Sequence, residues 1–272
     1  MPRRRQQARG RWYRHRVRGH LVLWDIDQTL INAGGLSHHL YGVVFAGLFG
    51  RELPAVAPMA GRTDRAIIMD TLTRAGVAEP GRHVEAFIEG LTAQAPQFGE
   101  RVRVTGRVLP GAAEALTAIS RLPAPAAAAD GAGPGRVVQS VLTGNIRPLA
   151  EVKLGALGLA AQLDLDAGAY GDTHEDRAEL VRLARRAAAA AYREDFSGEA
   201  TVVVGDTPLD VRAALAGRAR AVAVATGGST AAELAAVGPH ALLPDLSDTE
   251  RVLAAILGPA ATRHETQAGQ GG

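Results

Sequence analysis

The feature that most constrains this chain is Asp25-Ile26-Asp27-Gln28-Thr29, which follows directly on the apolar run Leu21-Val22-Leu23-Trp24. A short apolar run of this kind reads as a buried strand. Two carboxylates held close at its end repel one another and resist ionising together. Side chains at i and i+2 of an extended segment face the same way, so both acids address one pocket. A bound divalent cation resolves the repulsion, and an all-oxygen donor set suits Mg²⁺. Taken alone, the motif also reads as a strand followed by a solvated acidic turn.

The 272 residues fit one large α/β unit or a core with an inserted subdomain. Apolar residues make up 47% of the chain, enough for a sizeable core, and the absence of cysteine excludes disulfides and thiolate zinc sites. No stretch reaches the roughly 18 apolar residues of a membrane span. The expectation is a cytoplasmic protein without a membrane partner. The net charge of +2 hides an asymmetry, because residues 1–19 hold eight arginines and no acid, leaving 22 basic against 28 acidic residues elsewhere. This stretch reads as a disordered Arg-rich tail whose charge could serve nucleic acid or anionic lipid.

From Leu21 onward, short apolar runs alternate with helical patterns, the signature of parallel βα units. Expected strands are Leu21–Trp24, Val137–Leu142, Gly168–Tyr170, Thr201–Val204, Ala221–Ala225 and Ala241–Leu243. Between the first two, Leu36–Leu48, Arg65–Ala75 and Val84–Leu91 read as helices with no convincing strand among them. The domain reading is a core of residues 20–31 and 107–258, with a helical cap over 32–106. Pro110-Gly111 marks the return to the core and opens a helix over Ala112–Ile119. Residues 123–136 are a low-complexity Pro/Ala/Gly loop, and 259–272 a C-terminal tail.

A second acidic pair lies in Gly205-Asp206-Thr207-Pro208-Leu209-Asp210, after the apolar run Val202–Val204. Pro208 suits the first turn of a helix, and Thr207 with Asp210 fits a capping box. Capping explains Asp210 but not Asp206. Open parallel sheets bring strand C-termini to one edge, where ligands bind, so the two acid pairs can meet there. Val141-Leu142-Thr143-Gly144-Asn145 ends another strand, offering a hydroxyl and backbone N–H groups that suit phosphate oxygens. A plain turn with Asn145 as a cap fits equally well. Lys153 is the only lysine among thirty basic residues. Such an exception suggests a site needing a compact three-donor ammonium, although a lone lysine must fall somewhere. In a helix starting near Pro148, its side chain leans back toward Thr143.

Together these elements resemble the haloacid dehalogenase superfamily of phosphohydrolases, particularly its phosphoglycolate-phosphatase-like members. The match comprises DxDxT at Asp25–Thr29, Thr143, Lys153, and GDxxxD at Gly205–Asp210. The resemblance implies a Rossmann-like parallel sheet core with an inserted helical cap. It implies Asp25 as the nucleophile of an aspartyl-phosphate mechanism and Asp27 as general acid/base. Thr143, Gly144 and Lys153 would bind the phosphoryl group. Asp25, Asp27 (through its carbonyl) and Asp206 would hold Mg²⁺, with Asp210 and Thr29 supporting them.

Two departures stand out. Gln28 replaces the family's usual glycine, which is tolerable if its φ stays negative. The lysine often found shortly before the last motif has no counterpart in Asp172–Arg177, so Lys153 fits the alternative placement. Arg177 is the rival cation, although Glu175-Asp176-Arg177 reads more readily as a solvated turn. In the cap, Ala60–Asp64 resembles the family's specificity loop, with Arg62 placed to meet the substrate's distal groups. Thr63 as a helix N-cap is the plain alternative. His38 and His39 receive no role. The resulting expectation is a Mg²⁺-dependent phosphatase acting on a small phosphorylated metabolite, as monomer or homodimer. A phosphomutase is the alternative within the superfamily, and a regulatory module binding nucleic acid through the tail is the alternative outside it. A dehalogenase would not require Asp27 or a metal, and a phosphonate hydrolase would want a cap lysine that is missing.

Overall fold

The computed structural model describes residues 19–122 and 136–258. Apart from Gly19 and Arg136, the Arg-rich tail, the Pro/Ala/Gly loop and the C-terminal tail lie outside these residues. Strand β1 (His20–Trp24) leads to a two-residue strand β2 (Ile31–Asn32). Three helices follow, α1 (Leu36–Phe49), α2 (Asp64–Arg74) and α3 (Val84–Thr105). Strand β3 (Arg107–Val108) then pairs antiparallel with β2, closing a ribbon at the base of the helical insertion. Beyond it the chain alternates through α4 (Ala112–Ser120), β4 (Val137–Val141), α5 (Arg147–Ala156), α6 (Arg177–Tyr192), β5 (Thr201–Gly205) and α7 (Pro208–Ala216). It ends with β6 (Arg220–Val224), α8 (Ala231–Ala236), β7 (Ala241–Leu243) and α9 (Thr249–Leu257).

Five strands form one parallel sheet in the order β4-β1-β5-β6-β7. Side-chain alternation along β1 sets the layers. Val22 and Trp24 enter one apolar cluster with α4, α5 and α9, whereas Leu21 and Leu23 enter another with α6, α7 and α8. Burial on both faces explains why these strands read as near-continuous apolar runs. The architecture is the Rossmann-like α/β fold expected. Among the described residues, no helix is long and apolar enough to cross a membrane.

Helices α1, α2 and α3 share a separate apolar cluster built on Leu40, Tyr41, Phe45, Ile68, Phe87 and Phe98, joined by Ile146 and Leu149 at the start of α5. Three local expectations differ from the structure. Helix α3 continues past Leu91 through Pro96 to Thr105, because Phe98, Gly99 and Val102 extend its buried stripe against α5. That packing outweighs a proline penalty of about 3 kcal/mol. Residues 168–170 make only a single bridge, Leu142 to Ala169, after a 3₁₀ turn at Leu165–Ala167. Gln28 has φ 62°, not the negative value expected. Its left-handed turn is held by Gln28 N donating to Ile31 O at 2.7 Å and by Thr226 Oγ1 donating to Gln28 O at 2.5 Å.

Candidate active site

Sheet register dictates who meets whom. Trp24 pairs with Val141 on one side and Val204 on the other, so the residues just beyond β1, β4 and β5 emerge at one edge. Those residues are Asp25 and Asp27, Thr143, and Asp206. They line a cleft of about 280 Å³ between the sheet edge and the helical insertion. This is the crevice at the carboxyl ends of parallel strands where such folds bind ligands.

Around Asp25 the site is buried and crowded with charge. Asp25, Asp206 and Asp210 are all buried, and each places a carboxylate oxygen within 4.8 Å of the others. Burial foremost, then Asp210 and Asp27, pushes Asp25 up to about 7 despite the pull of Arg177. Burial and the neighbouring Asp25 and Asp210 push Asp206 up to about 8. Asp206 accepts a hydrogen bond from Thr29 Oγ1 at 3.3 Å, and Gly227 is close enough that any side chain there would collide with its carboxylate. Asp210 does close the capping box with Thr207 that the sequence suggests. It also lies 2.5 Å from Arg177 Nη2, so it belongs to the charge cluster itself.

Arg177 is the main correction to the sequence reading. It is no part of a solvated turn, since its side chain is only 7% exposed and Nη2 donates to Asp25 Oδ1 at 2.8 Å. Asp176 is the N-cap of α6, which places Arg177 at the first helical position, facing inward. Burial disfavours its charge, but Asp210 and Asp25 outweigh that effect and raise its pKa.

Asp27 has different company. Lys153 Nζ donates to Asp27 Oδ2 and to Asn145 Oδ1, both at 2.6 Å. Asn145 Nδ2 donates to Asp27 Oδ2 at 2.8 Å and to Thr143 Oγ1 at 2.7 Å. Lys153 is therefore at the site, as its rarity suggested, yet it does not line the cleft whereas Arg177, Asn145, Thr143 and Gly144 do. Asn145 was missed as a functional residue. The same signal that singled out Thr143, a polar pair at a strand end, extends one residue beyond Gly144. It does not cap α5, whose N-cap is Ile146 with no side-chain bond.

The insertion supplies the opposite wall. Arg62 lines the cleft, but its guanidinium bonds Asp70 at 2.9 Å, the Pro58 carbonyl at 3.0 Å and the Ala66 carbonyl at 3.2 Å, within the insertion. Thr63 is the N-cap of α2, as the plain reading had it. Residues 63–65 also grip the core loops. Asp64 N donates to Gly144 O at 2.6 Å, Thr63 Oγ1 to Glu175 O at 3.0 Å, and Arg65 Nε to Asp172 O at 3.1 Å. Asp64 itself is a second missed residue. Its buried carboxylate accepts from Tyr41 OH at 2.5 Å and from Ile146 N at 2.8 Å, and burial raises its pKa. His38 borders the cleft, and His39 does not.

A family model for haloacid dehalogenase-like hydrolases matches residues 22–215, the span that carries all of these side chains. The chain belongs to this hydrolase family. Solved structures agree at the level of fold. A hydrolase from Pseudomonas syringae is 21% identical, with 88% of this chain and 99% of that one covered and a TM-score of 0.56. A protein from Bacteroides vulgatus provisionally named β-phosphoglucomutase is 16% identical, covering 89% and 90%, with a TM-score of 0.57. Another from Lactobacillus delbrueckii subsp. bulgaricus, provisionally named phosphoglycolate phosphatase, is 13% identical, covering 89% and 99%, with a TM-score of 0.55. No curated protein matches the chain.

Hydrolases of this family generally use Mg²⁺. The residues present fit a hard cation. Three buried carboxylates converge with only one guanidinium among them, and two of the three hold their protons more tightly than usual even beside Arg177. Oxygen-only donors of this kind are the set Mg²⁺ prefers.

Proposed function

We propose that this hydrolase is a Mg²⁺-dependent phosphatase that cleaves a small phosphomonoester through an aspartyl-phosphate. The observation that carries the reading is the convergence of Asp25, Asp27, Thr143 and Asp206 at one sheet edge with a buried Arg177 against Asp25. Asp25 is the nucleophile. Its carboxylate attacks phosphorus while the ester oxygen leaves on the opposite side. Asp27, with its side chain 38% exposed to the cleft, protonates that oxygen and then takes a proton from the water that hydrolyses the aspartyl ester. Thr143 and the backbone at Gly144 receive the phosphoryl oxygens. A carboxylate attacks a phosphate dianion only when their repulsion is screened. Asp25, Asp206, the Asp27 carbonyl and Asp210 would hold Mg²⁺, which when bound supplies that screening and stabilises transition-state charge.

The helical insertion acts as the cap that covers the cleft and excludes water. A cleft of about 280 Å³ sits at or below the small end of ligand sites, roughly 300–1,000 Å³, which favours a compact substrate. The test is phosphate release from phosphoglycolate, sugar phosphates and nucleotides, with Mg²⁺ or with EDTA. Release that requires Mg²⁺ and Asp25 supports the reading. Hydrolysis that persists in Asp25→Asn, or in EDTA, overturns it.

A further inference from the structure

The two buried cations of this site do not share one task. We infer that Lys153 and Asn145 form a positioning pair acting on Asp27 and Thr143, while Arg177 is the basic side chain that the substrate's phosphoryl group meets. This division rests on the phosphatase reading above and assigns roles within it.

Three observations carry it. Arg177 lines the cleft and touches Asp25, whereas the Lys153 side chain is 1% exposed and lies outside the cleft lining. Two of the three Lys153 ammonium donors already have acceptors, Asp27 Oδ2 and Asn145 Oδ1. The third observation is the direction of the hydrogen-bond chain. A lysine ammonium has donors only, so the Asn145 atom facing it must be the carbonyl oxygen. That forces the Asn145 NH₂ toward Asp27 Oδ2 and Thr143 Oγ1, both of which then accept. Asn145 N also approaches Thr143 Oγ1, at 3.2 Å. With both lone-pair regions of the hydroxyl engaged, its proton is left for an acceptor in the cleft, where a phosphoryl oxygen would lie. Lys153 thus sets the amide, the amide holds the Asp27 carboxylate, and the same amide aims the Thr143 proton.

Isosteric and truncating changes at position 145 separate this from a merely structural role. Asn145→Asp keeps the shape and still accepts from Lys153, but it turns a donor into an acceptor facing Asp27 and Thr143. Asn145→Ala removes the group. Turnover and inhibition by orthovanadate, a trigonal-bipyramidal phosphoryl mimic, are measured with Mg²⁺ present, alongside thermal unfolding of each variant. Asn145→Asp is expected to weaken vanadate inhibition more than Asn145→Ala, because it captures the Thr143 proton. A structural role predicts the reverse order, and that result overturns the inference. Lys153→Met is expected to lower kcat by about 10²-fold, within the range for loss of positioned acid–base catalysis, with vanadate inhibition changed less than kcat. Arg177→Lys is expected to weaken vanadate inhibition by about 10²-fold while keeping a charge among the carboxylates. Loss of vanadate inhibition in Lys153→Met with retention in Arg177→Lys would reverse the assignment. Wild-type protein showing neither phosphate release nor vanadate inhibition would instead sink the phosphatase reading itself.

Discussion

The two walls of the cleft are built on different physics. The sheet edge presents buried charge, with Asp25, Asp206, Asp210 and Arg177 held by strand ends and helix N-termini. The helical insertion lines the cleft with apolar Leu40, Met59 and Ile67 beside polar His38, Arg62 and Asp64, and it meets the core through the packing of α3 on α5 and through hydrogen bonds at residues 63–65. Strand ends are rigid, so charge there keeps its geometry when substrate arrives. The insertion is anchored by the apolar packing of α3 on α5, so its contact with the core can be altered without removing any carboxylate. The comparison teaches that chemistry and cover are separable in this chain, and substitutions on either wall can test it.

The largest effect is expected on the sheet side. Asp25→Asn should reduce phosphate release by at least about 10³-fold, because it removes the bond-forming group. It should leave the fold intact, and removing one of three crowded carboxylates should hold or raise the unfolding temperature. A drop in that temperature comparable with a core substitution would show that the charged wall is structural after all.

Gly144→Ala attacks the join between the walls. A Cβ at Gly144 would run into the Arg62 carbonyl oxygen, a backbone atom that cannot swing aside as a side chain would, so residues 62–65 must lift away. The expected cost is about 1–3 kcal/mol, as for overpacking, with kcat/KM falling at least tenfold. Thermal unfolding with kinetics on one sample checks both. Lost stability with full activity would mean the insertion need not close.

In EDTA, pH should act chiefly on the charged wall, with the buried Asp64 of the insertion shifted in the same direction. Asp25 and Asp206 titrate near 7 and 8 when folded, against an ordinary value of 3.8. A raised folded pKa gives stability that is present below 3.8 and lost as pH rises through about 7 to 8. The unfolding temperature without metal should therefore fall between pH 4 and 8. Mg²⁺ should restore more of it at pH 8 than at pH 5, since only the ionised cluster binds the cation well. Equal Mg²⁺ stabilisation at both values would count against the carboxylate cluster as the metal site.

Tyr41→Phe probes the insertion side. It strips one of two donors from the buried Asp64 carboxylate, and should cost about 1.5–3 kcal/mol by urea unfolding. Gln28→Gly should have the smallest effect. Relief of the left-handed residue is offset by the entropy of an added glycine, giving between no change and a gain of about 1 kcal/mol with activity retained.

Much of the charged wall was legible in residue order. Asp25, Asp27, Thr143 and Asp206 each end an apolar run, and runs that become parallel strands bring their ends to a common edge. Arg177 was readable only as a rival, because Glu175-Asp176-Arg177 looks like any exposed helix start until α6 turns the arginine inward. Arg62 shows the opposite case, since a basic residue in a loop over the cleft looked free to reach substrate, whereas in the structure Asp70, eight positions on and inside α2, holds it. Asn145 and Asp64 went unread for the same reason, since a single polar residue carries no period and no pairing.

Local pattern was enough to place the five strands of the parallel sheet, the helices between β2 and β3 and the acids at the sheet edge, because burial and side-chain alternation are properties of short segments. Which cation faces which carboxylate was settled only in three dimensions. Arg177 and Asp25 are 152 positions apart and Lys153 and Asp27 are 126 apart, so their partnership depends on how helices dock on the sheet. Ion pairs between buried groups are chosen by distance through space and by desolvation, and neither quantity is written along the chain.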